Sequence, residues 1–143
     1  MAELLKKVLN NSPYDREAIA PELQRLAAHT EITDANAMRT LTQDELIALL
    51  PGHGVTIAAD EAYNDRVLDT APQLWIIARD GVGMDSIDFA AVNARGIVVT
   101  RAPMVHEAGA DLAMGHIINA VRRTRVGDHN VRAGRFADRR AVL

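Results

Sequence analysis

Short apolar runs alternate along this chain with longer stretches in which apolar residues recur every three or four positions. Leu4 to Leu9, Glu31 to Thr33, Val55 to Ala59, Leu74 to Ala78 and Ile97 to Thr100 read as five strands, the first weakened by two lysines. Ile19, Leu23, Leu26 and Ala27 keep helical spacing in a stretch that opens at Asp15, with Pro21 an interior residue expected to kink it. Thr42 with Glu45 is a capping box for a helix that runs through Leu50 and stops at Pro51-Gly52. Asn64 to Asp69 reads as a short helix or turn, and Ser86 to Ala94 as a helix capped by Asp85 and terminated by Gly96. Strand–helix alternation of this kind predicts an α/β fold, a parallel five-stranded sheet covered on both faces.

After Pro103 the pattern changes. Between Ala108 and Val121 the apolar residues nearly encircle a helix, and a helix apolar on all sides must be buried on all sides. A small domain with one layer per face has nothing left to cover it, so a second domain or subunit is expected there. Val126 to Phe136 reads as a shorter polar helix or loop.

The fourth strand runs into Arg79-Asp80-Gly81-Val82-Gly83-Met84-Asp85. Two glycines around Val82 allow a sharp turn and a close approach of backbone to a ligand. Strand, glycine turn and helix start are the parts of an anion site built from N–H groups, here beside an arginine. A plain βα turn that needs glycine for its dihedrals is the alternative reading. A dinucleotide fingerprint is excluded, because G-x-G-x-x-G needs glycine where Ser86 stands.

Composition narrows the function classes. The 143 residues suit one domain with a sizeable core, and there is no cysteine for a disulfide, thiolate metal site or cysteine nucleophile. Five aromatics make an aliphatic core and argue against base stacking on nucleic acid. No membrane partner is expected and a cytoplasmic address follows by default. The net charge of −3 hides seven arginines from Arg122 onward against Asp128 and Asp138, read as the solvated end of a helix. Asn10 and Asn11 stand where a phospho-acceptor receiver domain needs carboxylates. There is no P-loop, and the five histidines lack metal-ligand spacing, so no metal site is expected. His116 reads as a packing residue, and His106 as one that lies near strand ends where ligands bind.

Trp75 through Phe136 resembles the D-isomer-specific 2-hydroxyacid dehydrogenases, the group that contains phosphoglycerate dehydrogenase. The run from Ile77 to Asp88 carries the likeness, followed by Ala94 to Thr100, Ala102-Pro103, Asp111 to Gly115, Arg122-Arg123 and Val131 to Phe136. Residues 4–73 fit the family's variable N-terminal region. The resemblance implies a flavodoxin-like substrate-binding domain over residues 1–102. Residues 103–143 would then begin a cofactor domain with a long apolar helix, dimerising through residues 107–123, and the basic tail. It implies that the turn Gly81, Val82 and Gly83 holds the carboxylate of a 2-hydroxy or 2-oxo acid, that Arg79 faces that substrate, and that Ala102 lies near the nicotinamide of NAD. Arg101 departs from the family's usual asparagine, and the loop from Met104 to Glu107 is one residue short. The family's G-x-G-x-x-G and its catalytic arginine, glutamate and histidine have no counterpart within these residues, so no catalytic residue is assigned. No NAD binding or dehydrogenation is expected of the chain alone. Two readings remain: a truncated dehydrogenase that keeps the carboxylate turn, or a free-standing dimeric binding or regulatory module, or repurposed domain, with different chemistry.

Overall fold

The β-branched runs pair into one parallel sheet. The computed structural model describes residues 6–13, 17, 19–35, 39–103 and 105–137. Strands β1 (Lys7–Asn10), β2 (Glu31–Asp34), β3 (Val55–Ala58), β4 (Ile76–Arg79) and β5 (Val98–Arg101) lie in the order β2-β1-β3-β4-β5. That is the doubly wound order of flavodoxin-like sheets, in which ligands meet the carboxyl ends of the strands. Helices α1 (Ala20–Ala27), α2 (Gln43–Leu49), α3 (Asp65–Leu68) and α4 (Phe89–Ala94) make the crossovers. Leu9, Leu46, Leu50, Tyr63, Val67, Leu68, Ile77 and Val92 fill the core between sheet and helices. The chain divides into two compact units, Met1–Pro103 and Met104–Leu143.

Local chemistry sets several boundaries. The Thr42 side chain accepts from Glu45 N while Glu45 returns to the Thr42 N–H, so the capping box forms as the sequence predicts. Pro21 sits in the first turn of α1, where its missing N–H costs nothing, and it causes no interior kink. The expected start of that helix at Asp15 lies outside the described residues, as do Leu4 and Leu5 of the first strand, Met104, and tail residues 138–143 with Arg139 and Arg140. β4 begins two residues later than its apolar run, because the Leu74 N–H closes a turn onto Ala71 O, and it continues through Arg79. The helix after the glycine turn is capped by Asp88, not Asp85, and starts at Phe89 instead of Ser86. Tertiary pairing explains the shift: after the turn closed by Ile87 N onto Met84 O, Tyr63 N donates to Ser86 O and Asp88 N to Tyr63 O, so Ile87 bridges to Tyr63 and Asp88 is extended.

In the second unit, α5 (Val105–Arg122) and α6 (Thr124–Arg132) are separated by Arg123 in a left-handed conformation. α5 is not apolar all round, because Glu107, Asp111, His116 and Asn119 interrupt its surface. Nor are its apolar residues buried: Leu112, Met114, Ile117, Ile118 and Val121 are all more than half exposed in the single chain. His116 is exposed as well in the single chain. No helix among the described residues is long and apolar enough to cross a membrane.

Candidate functional site

β4 delivers the glycine turn to the carboxyl edge of the sheet. Its last ladder bond runs from Asp80 N to Ala58 O at 2.8 Å, after which the chain turns away. Gly81 has φ of 151°, a region open to glycine and strained for any residue with a Cβ. Its carbonyl accepts from Ala102 N at 3.1 Å, which ties the turn to the end of β5. Among the described residues the N–H groups of Val82 and Gly83 make no hydrogen bond, so two adjacent donors are left for a ligand. That bond sets Ala102 beside Gly81, with Val82 and Gly83 next along the turn.

Arg79 lies beneath this turn. Its side chain is only 8% exposed and forms an ion pair with Asp60 at the end of β3. Nη1 donates to Asp80 O at 2.7 Å, while Nε is buried without a partner. A Cβ built on Gly81 would stand 2.8 Å from Nη1, so the guanidinium is packed against the glycine itself. The Asp80 carboxylate accepts from Ser12 Oγ at 2.8 Å, which binds the turn to the loop after β1. On the other flank, the Asp85 carboxylate lies 3.9 Å from the Cβ position of Gly83.

A buried polar layer supports the strand ends. Asn11 Nδ2 donates to Thr56 Oγ1 and Tyr63 Oη, each at 3.4 Å, and those two oxygens are 3.1 Å apart. Burial pushes the Tyr63 phenol up, so it stays protonated and able to donate. Glu61, 1% exposed, accepts from Ala59 N and Leu41 N, and its carboxyl is pushed up by burial against the pull of those bonds. Asn10 Oδ1 accepts from Ser12 N, leaving Asn10 Nδ2 and Asn11 Oδ1 buried and unpartnered. Asn10 and Asn11 therefore belong to this scaffold and carry no receiver-type chemistry.

Ser12 is the site neighbour that reading the sequence did not single out. Asp60 and Asp80 were visible as charges at strand ends, but Ser12 is 68 positions from its partner and carries no local signal. His106 is exposed and lies in the second compact unit. Among the described residues no group of three or more histidines and carboxylates is arranged to hold a metal ion.

The family model described as D-isomer specific 2-hydroxyacid dehydrogenase, catalytic domain, matches residues 8–142. The chain belongs to that family. It is 30% identical over 132 residues to a D-3-phosphoglycerate dehydrogenase of Archaeoglobus fulgidus, covering 91% of this chain and 24% of that one. A glyoxylate reductase of Thermococcus litoralis is 39% identical over 83 residues, 57% of this chain and 25% of its own length. Among solved structures, the NADPH-dependent glyoxylate/hydroxypyruvate reductase of Sinorhizobium meliloti, in complex with NADP and malonate, superposes with a TM-score of 0.64 at 25% identity, covering 93% of this chain and 40% of that one. The chain thus spans about a quarter of the length of these two curated relatives.

Proposed function

We propose that residues 1–103 form the substrate-binding part of a D-2-hydroxyacid dehydrogenase, and that the Gly81–Gly83 turn receives the carboxylate of a 2-oxo or 2-hydroxy acid. One observation carries this reading: two unbonded N–H groups, Val82 and Gly83, sit side by side at the carboxyl edge of a doubly wound sheet. Each charge-assisted bond to such a donor contributes ~1.5–3 kcal/mol. Arg79 acts here from below, setting the turn's geometry and adding a positive field, while the backbone makes the direct contact. NAD is the hydride carrier expected of the family. Ala102 is the residue of this chain expected near it, and these 143 residues hold no G-x-G-x-x-G to cradle a pyrophosphate.

A second reading, a self-associating binding or regulatory module, is favoured by the exposed apolar residues of α5, from Leu112 to Val121. Burying such side chains against a second copy contributes ~1.5–3 kcal/mol each. The two readings part on ligand and turnover. Amide shifts recorded while glyoxylate, lactate and acetate are titrated should move Val82 and Gly83, with an affinity on the order of millimolar. If these amides stay still while α5 or the arginine-rich tail responds, the turn is structural and the substrate-binding reading fails.

A further inference from the structure

We propose that Arg101, at the end of β5, is the outward cation of the carboxylate site and binds the same acid as the glycine turn. The inference rests on the substrate-binding reading above and adds a side chain to it. Arg101 and Arg79 are register partners across β4 and β5, so the two arginines stand side by side on one face of the sheet. The next residue, Ala102, donates its N–H to Gly81 O at 3.1 Å. The backbone therefore fixes Arg101 one residue from the bond that holds the turn, whichever rotamer its side chain takes.

The two arginines differ in what they hold. Arg79 is buried, and its guanidinium is committed to Asp60 and to the Asp80 carbonyl. Arg101 is exposed, and among the described residues its guanidinium has neither an ion pair nor a hydrogen bond. Asp60 is engaged with Arg79, and the Asp80 carboxylate accepts from Ser12 Oγ, so neither neutralises Arg101 directly. Its long stem can turn towards an anion seated on the Val82 and Gly83 N–H groups, and its planar fork matches a carboxylate. β5 is the outer strand of the sheet, where a charge also discourages pairing with another chain. That role alone would leave ligand affinity untouched. At ~6 Å and an effective dielectric of about 40–80, one added positive charge strengthens binding of a monoanion roughly three- to tenfold.

The test titrates glyoxylate into the full 143-residue chain at low salt and follows the Val82 and Gly83 amides. Arg101→Gln should weaken binding at least ~3-fold, and Arg101→Lys should keep most of the affinity. The gap between Arg101→Gln and the wild type should close as salt rises. Arg25→Gln controls for net charge, because it removes a cation from the last turn of α1, which leads into the start of β2 at the opposite edge of the sheet. It should leave the affinity unchanged. Since the Arg101 guanidinium has no partner to lose, its variants should unfold at the wild-type urea midpoint. A loss below ~3-fold for Arg101→Gln, or an equal loss for Arg25→Gln, would overturn the role of Arg101 while the carboxylate site stands. If glyoxylate moves neither amide in the wild type, the site itself is overturned and the role of Arg101 with it.

Discussion

A double-mutant cycle between Arg79 and Gly81 probes how the turn is held. Alanine at position 81 meets two separate costs. Backbone at φ of 151° strains any residue with a Cβ, by ~1–3 kcal/mol. The new Cβ also falls 2.8 Å from Arg79 Nη1. A free arginine would swing aside, but this one is fastened to Asp60 and the Asp80 carbonyl, so overpacking adds ~1–3 kcal/mol. Arg79→Ala alone removes charge-assisted bonds, while the exposed Asp60 regains water, for a loss of ~1.5–3 kcal/mol. In the double variant the steric cost disappears and the backbone strain remains. The combined loss should therefore fall short of the sum by ~1–3 kcal/mol. Urea unfolding followed through the fluorescence of Trp75, which begins the β4 ladder, reads all four corners. Additivity within ~0.5 kcal/mol would show that the guanidinium does not support Gly81 and would refute this account of the turn.

Other expected outcomes are simpler. Thr42→Ala should cost ~1 kcal/mol in urea unfolding by opening the capping box of α2. Arg39, with the same box, holds the Glu45 carboxyl down to about 2, so its stabilisation is present above the ordinary value of 4.5 and is lost as pH falls towards 2. Glu61 behaves oppositely: burial raises its folded pKa, so stability falls as pH rises from 4.5 through that raised value, and Glu61→Gln should flatten this part of the urea-midpoint profile. Leu46→Ala, at a fully buried α2 position, should cost ~2–5 kcal/mol by the same assay. Ile117→Asp with Ile118→Asp should shift sedimentation at micromolar concentration from a dimer to a monomer; a monomeric wild type would remove the self-association reading.

The strand–helix alternation was legible because short apolar runs alternate with helical spacing whose ends carry turn chemistry, as at Pro51-Gly52 and Gly96. Boundaries failed where a partner distant in sequence decides them. Asp85 and Asp88 are equally good caps locally, and only the pairing of Tyr63 with the segment from Ser86 to Asp88 selects the second. The glycine turn itself was legible, since two glycines after an apolar strand signal tight backbone. The environment of Arg79 was not. An arginine at the end of an apolar run reads as the strand meeting solvent, yet the register of Ala58 with Arg79 sets it beside Asp60 and closes it off. Likewise, the apolar residues of α5 predicted burial, but a sequence cannot state which surface supplies it.

The most direct test of the carboxylate site is a crystal structure of the chain with a bound 2-oxo acid such as glyoxylate. The account predicts its carboxylate oxygens within ~3.2 Å of the Val82 and Gly83 nitrogens, above a buried Arg79 that keeps its pair with Asp60. A ligand held by side chains elsewhere, with both turn N–H groups still unbonded, would contradict it.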